Sequence, residues 1–140
     1  MKCITVKQPW ASLIVEGYKS IENRMWATKF RGPTLIHTSA KYAHPHPWEL
    51  LTDEQFATLP GSVQTDMLLR DYPVSAIIGQ VEIVDCVINH PSIWAEITEI
   101  PAGVYMGEKP IYNWVLDNPV KFDKPIQNVK GKLSFWEFEL

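Results

Sequence analysis

The sequence predicts an α+β fold, a small and mainly antiparallel β-barrel with flanking helices. Three observations carry this expectation. Short strand-like runs outnumber helical stretches. One helix comes early and the others form a single central block. Eleven prolines cut the chain into short elements. A length of 140 residues fits one domain spanning 1–140, and a hydrophobic content of 46% suffices for a core. No internal repeat, low-complexity tract or interdomain linker interrupts it.

Cys3 to Val6 is a β-branched run that reads as a strand. Pro9 then stands where a first helical turn tolerates it, and Trp10, Leu13, Ile14 and Gly17 follow helical spacing. A short helix from about Pro9 to Glu16, ended by Gly17, is expected. Lys19 to Arg24 reads as a second strand, Lys29 to Pro33 as a basic turn and Thr34 to Thr38 as a third strand. After the breaker His44-Pro45-His46-Pro47, helical character runs over Trp48 to Leu59 and again over Ser62 to Arg70. Trp48, Leu51 and Leu59 are the expected core contacts there. Ala76 to Ile88 is the longest strand. Ile77, Val81 and Ile83 share one face, and then Val84, Cys86 and Ile88 become the apolar set. That change of face calls for a bulge or sharp bend. His90 to Gly107 reads as an irregular insert. Ile111 to Leu116 and Lys132 to Leu140 close the chain as strands.

Charge limits the function classes. Thirteen Lys and Arg stand against 16 Asp and Glu, a net charge of −3, so bulk attraction to nucleic acid is excluded and any phosphate contact needs a local cationic cluster. No apolar run is long enough to span a bilayer and no signal-peptide pattern opens the chain, so a cytoplasmic location is expected. Cys3 and Cys86 read as buried free thiols, with one disulfide in an exported protein as the alternative. The sequence has no P-loop, no Gly-rich dinucleotide fingerprint and no Cys-x-x-Cys pair. Neither a cofactor nor a metal is expected. Six tryptophans exceed what such a core needs, which suggests a pocket wall or a stacking surface for flat bases.

The densest polar cluster is Gly17-Tyr18-Lys19-Ser20-Ile21-Glu22-Asn23-Arg24. In an extended strand Glu22 and Arg24 share a face at roughly 7 Å, while Lys19 falls opposite unless a turn or bulge rotates it. One reading is a surface strand with a weak salt bridge. The other is a pocket where a cation, a carboxylate and a guanidinium converge on a phosphate or base edge, or perform acid–base chemistry.

Gly17, Lys19, Glu22 and Arg24 match the GxKxxExR motif of the ASCH domain family, which the chain resembles over most of its length. Gln8-Pro9-Trp10-Ala11 looks like that family's opening helix. Arg31-Gly32-Pro33 with Leu35-Ile36-His37, Ile78-Gly79, Trp114 and Lys130-Gly131-Lys132 also look family-like. The resemblance implies a PUA-like barrel whose motif residues line a cleft for RNA or a nucleotide. It also implies a link to enzymes, since one branch hydrolyses acetylated cytidine and another cleaves RNA. The amidohydrolase branch has a Thr where this chain has Glu22, and it uses a later Glu, for which Glu82 is the candidate here.

The expected ligand contacts are therefore Lys19, Glu22, Arg24, Trp10, Trp26, Ser39 and Lys41, with Lys19 and Glu22 as the catalytic pair if the domain is an enzyme. Trp26 shares the Arg24 face if the strand continues, and Ser39 and Lys41 end the third strand. Lys29 and Arg31 read as a solvated turn, His37 as a satisfied core histidine, and His44-x-His46 as a poor metal site. The leading expectation is a module for RNA, a nucleotide or a nucleoside, with RNA or a nucleotide-like small molecule as partner and no membrane. The alternative is a hydrolase acting on a modified nucleoside or RNA, either an amidohydrolase or a ribonuclease. A phage or prophage protein-interaction module is the third. The oligomeric state is open.

Overall fold

A computed structural model describes residues 1–99 and 109–140. Six strands, Lys2–Val6 (β1), Ile21–Arg24 (β2), Gly32–Thr38 (β3), Ile77–Val87 (β4), Tyr112–Ile126 (β5) and Trp136–Glu137 (β6), form one sheet in the order β2-β5-β4-β3-β1-β6. Every pairing is antiparallel except that of β1 with β3. The sheet curls into a half-barrel. The expected change of face in β4 coincides with a register shift against β5 between Ile83 and Asp85, and two more shifts lie upstream. Each bulge adds local twist, which bends a long hairpin round rather than leaving it flat.

Helix Trp10–Val15 (α1) lies on the concave face and buries Ala11 through Val15. The Gln8 carboxamide holds its start, since Oε1 accepts from the Ser12 amide at 3.0 Å and Nε2 donates to the Pro73 carbonyl at 2.9 Å. Its far end sits directly on the sheet at Gly79. A methyl group there would stand 2.1 Å from the Val120 carbonyl oxygen and 2.9 Å from Val15 Cγ1. Ile4, Ile14, Ile36, Val81, Ile83 and Trp114 form the core beneath α1. Leu13, Ile21, Leu51, Leu59, Met67 and Trp94 form a second cluster under the central helices. Cys3, Leu35, Ile77 and Trp136 pack a third on the opposite side.

Several boundaries differ from the sequence reading. The expected helix over Trp48 to Leu59 is a 3₁₀ turn at Pro47–Leu50 followed by Asp53–Ala57 (α2). The break has a local cause, because Thr52 and Gln55 form a capping box that starts a new helix. Gly61–Leu69 (α3) falls where the second helical stretch is expected. Strand β5 runs ten residues past Leu116, through Pro119 and Pro125. It tolerates them because β2 pairs with it only from Tyr112 to Val115, so the rest has an open outer edge that needs no donor. The closing strand shrinks to Trp136–Glu137, preceded by a loop with left-handed Asn128 and Ser134. Of the expected insert, residues 100–108 lie outside the described residues.

Cys3 is buried and Cys86 half-buried; both are free thiols, and burial pushes the Cys3 thiol up to about 12. Among the described residues, no helix is long and apolar enough to cross a membrane.

Candidate functional site

The end of α1 delivers the charged cluster to the sheet. Gly17 adopts φ +87°, a conformation that favours glycine, and the Tyr18 and Lys19 amides both donate back to the Leu13 carbonyl. This tight return places Lys19 before β2 begins rather than within it. Its side chain is thereby freed from strand alternation and turns to the side occupied by Glu22 and Arg24. Lys19 Nζ lies 3.6 Å from Glu22 Oε1. Glu22 Oε2 accepts from Arg24 Nε at 2.8 Å and lies 2.8 Å from Arg24 Nη2.

All three side chains line one cavity of about 490 Å³. Lys19 is 4% exposed and Glu22 8%. Nζ donates to the Ile21 carbonyl and stands 5.3 Å from the centre of the Trp10 ring. Desolvation pushes the Lys19 amine below its ordinary value of 10.5, while Glu22, and next Glu96, pull it back up. An ammonium carries three donors, and among the described residues Nζ directs one to the Ile21 carbonyl and one toward Glu22 Oε1 at 3.6 Å. Donor capacity therefore remains for a molecule in the cavity. The Arg24 guanidinium is mostly committed to Glu22 and to the Thr5 carbonyl, 2.8 Å from Nη2, with Nη1 unbonded among the described residues.

Five of the seven expected contacts are brought together: Lys19, Glu22, Arg24, Trp10 and Ser39 all line this cavity. Trp26 does not line it. Strand β2 ends at Arg24, and the Trp26 ring packs edge-on against Trp114 at 4.6 Å and Phe135 at 5.6 Å, filling the seam of the half-barrel. Lys41 lies outside as well, in a separate shallow hollow beside Tyr42, His44 and Arg70. Glu82 sits between inward-facing Val81 and Ile83 on β4 and does not line the cavity.

The basic turn is occupied locally, with Arg31 donating to the Thr28 and Phe30 carbonyls. His37 is a satisfied buried histidine: Nε2–H donates to the Val129 carbonyl at 2.6 Å and Nδ1 accepts from the Thr5 hydroxyl at 3.0 Å. His44 Nδ1 accepts from the His46 amide at 2.9 Å.

The sequence reading missed the opposite wall. Trp94 and Glu96 reach the cavity from the segment after β4, with Gln55 from α2 beside them. That segment is clamped by two strand asparagines. Asn23 Oδ1 accepts from the Glu96 amide at 3.0 Å and from Asn113 Nδ2 at 2.8 Å, and Asn23 Nδ2 donates to the Trp94 carbonyl at 3.0 Å. Asn113 in turn holds the Glu96 carbonyl at 3.1 Å and the His90 amide at 2.9 Å. Asparagine is disfavoured in strands, and two of them at paired positions were the available signal. Lys7 and Lys132 complete the rim, so among the described residues four cationic side chains face two carboxylates around the cavity.

The chain matches the ASCH domain over residues 4–126. Activating signal cointegrator 1 of Homo sapiens is 37% identical to it over 84 residues, and that of Mus musculus 34% over 84 residues. Each alignment covers 60% of this chain and 14% of the relative, so the likeness spans a small part of those longer proteins. Among solved structures, ASCH from Zymomonas mobilis superposes with a TM-score of 0.58 at 15% identity, covering 99% of this chain and 87% of that one. A single-residue mutant of the Zymomonas protein gives 0.55 at 15% identity, covering 99% and 89%. At such identities the likeness is one of fold.

Proposed function

The chain belongs to the ASCH domain family, and from that premise we propose that it binds RNA by taking one nucleobase or nucleoside into the cavity of Trp10, Lys19, Glu22 and Arg24. The family is associated with RNA binding. The observation that carries the finer reading is the burial of Lys19 and Glu22 on one hollow beside an indole ring. Burying charge costs desolvation energy that an apolar pair at the same place would avoid. A fold needing only a strand at this position gains nothing from it, whereas a site that reads a base edge needs fixed donors and acceptors.

The three charged groups divide the work. Lys19 offers a donor to a carbonyl oxygen of the base. Glu22 accepts from an exocyclic amine or ring N–H while holding both cations. Trp10 supplies a flat apolar wall, on which a stacked base is worth about 1–3 kcal/mol. Lys7 and Lys132 at the rim suit the phosphate. The net charge of −3 favours a compact ligand or a splayed-out base over a long duplex.

The test is calorimetric titration of wild type and Lys19→Met with a panel of ribonucleosides and single-stranded RNAs. Saturable binding by wild type and at least tenfold weaker binding by the variant, about 1.4 kcal/mol, are expected at matched thermal stability. Equal binding by both proteins overturns the reading.

One observation favours a second reading, hydrolysis of an acyl amide on a modified nucleoside. Burial pushes the Lys19 amine below its ordinary value, against the pull of Glu22, which is the direction a general base requires, and the amine faces the cavity beside Glu22. Water would add to the acyl carbon, with Lys19 taking its proton and returning it to the departing nucleoside amine. Glu96, rather than Glu82, is the second carboxylate within reach of this cavity. Release of acetate from acetylated cytidine, lost in Lys19→Met, is the outcome this reading requires.

A further inference from the structure

A second hollow adjoins the charged cavity and shares Thr5, Ser39, Lys132 and Leu133 with it. Its remaining wall comes from His37, Ala40, Ser75 and the segment Asn128 to Gly131. Among the described residues no carboxylate lines it, whereas Lys130 and Lys132 do, so its character is cationic while the first cavity's is mixed.

The basic segment is built in rather than a loose tail. The Val129 carbonyl accepts from His37 Nε2 at 2.6 Å, and the Val129 amide donates to the Ser75 carbonyl at 2.9 Å. Gly131 lies so close to the floor that a methyl group there would stand 2.8 Å from both His37 Cε1 and Thr5 Oγ1. The backbone carrying the two lysines is therefore fixed at the edge of the hollow. Between the hollows Leu133 is 95% exposed, an apolar side chain standing in solvent where the shared wall rises.

Two abutting hollows, one with carboxylates among its cations and one whose charged groups among the described residues are two lysines, match consecutive units of a polynucleotide better than one small molecule. We propose that the ligand is single-stranded RNA at least two nucleotides long. One base enters the charged cavity, the connecting phosphate crosses beside Lys132, and the neighbouring nucleotide lies in the second hollow against Leu133 with its phosphate at Lys130. This rests on the reading of the charged cavity given above. A phosphodiester bridging the hollows would also explain their difference in charge, because backbone contact needs cations and base readout needs both signs.

The experiment compares a ribonucleoside monophosphate with a single-stranded tetranucleotide, each titrated into wild type and Lys130→Glu over a range of salt concentrations. Lys130 is exposed and lines only the second hollow, so the variant is expected to fold and to bind the monophosphate as wild type does. The tetranucleotide is expected to bind wild type at least about tenfold more tightly than the monophosphate does. That gain should fall about fivefold or more in Lys130→Glu, with a salt slope shallower by about 0.7 for the one phosphate that Lys130 no longer neutralises. A tetranucleotide that binds no tighter than the monophosphate, or a gain untouched by Lys130→Glu, overturns the two-nucleotide assignment and leaves the cavity reading standing. Failure of wild type to bind either probe overturns both.

Discussion

Arg24 Nη2 donates to the carbonyl oxygen of Thr5 at 2.8 Å, joining β2 at one end of the sheet order to β1 near the other. The same guanidinium holds Glu22 at 2.8 Å, so one side chain both closes the seam of the half-barrel and sets the carboxylate in the cavity. The seam's filling is aromatic: Trp26, Trp114 and Phe135 pack together, and the Trp114 indole N–H donates to the Trp26 carbonyl at 3.1 Å.

This double duty predicts a combined loss on substitution. Arg24→Ala leaves Glu22 with only Lys19 among the described residues, 3.6 Å away, and frees the Thr5 carbonyl. Stability is expected to drop by about 2 kcal/mol in urea unfolding, below the range for a fully buried pair because Arg24 is partly exposed. Arg24→Lys should recover less than half, since an ammonium cannot hold Glu22 through two nitrogens and reach Thr5 together. Full recovery by lysine would contradict the bridging role.

The clamp made by Asn23 and Asn113 predicts a local effect. Asn23→Ala removes two hydrogen bonds that hold the Trp94–Glu96 wall to β2 and a third that ties Asn23 to Asn113 on β5. Amide exchange at Trp94 and Glu96 is expected to rise at least about tenfold while β3 and β4 keep their protection. Nucleoside affinity should weaken even though Asn23→Ala leaves Lys19 and Glu22 in place. Unchanged exchange at those two amides would contradict the clamp.

His37 predicts a pH dependence. Burial lowers its pKa below the ordinary 6.5, opposed by the hydrogen bond to Val129. On acidification the unfolded chain takes up this proton first, so the contribution is full above 6.5 and is lost as pH falls from there through the lowered folded value. The urea midpoint of wild type should therefore fall more between about pH 7.5 and 5.5 than that of His37→Gln. Identical pH profiles would contradict this assignment.

The legibility of the molecule followed the range of the interactions. Helix α1, its stop at Gly17 and the bulge after Ile83 rest on local spacing and backbone freedom, and each was readable. The convergence of Lys19 with Glu22 and Arg24 was readable only as a condition, because it depends on where β2 begins. Trp26 misled because strand alternation past Arg24 assumed a strand that has ended there. Glu96 and Trp94 were hidden because their approach is set by Asn23 and Asn113, through hydrogen bonds between residues 17 to 90 positions apart in sequence. The length of β5 was hidden because Pro119 and Pro125 disqualify a central strand but not one whose outer edge is open.

The most direct measurement is the two-dimensional NMR spectrum of the six indole N–H groups during titration with a single-stranded RNA. Trp10 and Trp94 line the charged cavity, whereas Trp26 and Trp114 pack in the seam and Trp136 in the third cluster. A base entering the cavity shifts the Trp10 and Trp94 resonances first and leaves Trp26, Trp48 and Trp114 nearly unmoved. Saturating shifts confined to Trp48 or Trp136, with Trp10 and Trp94 stationary, would put the ligand elsewhere on the molecule.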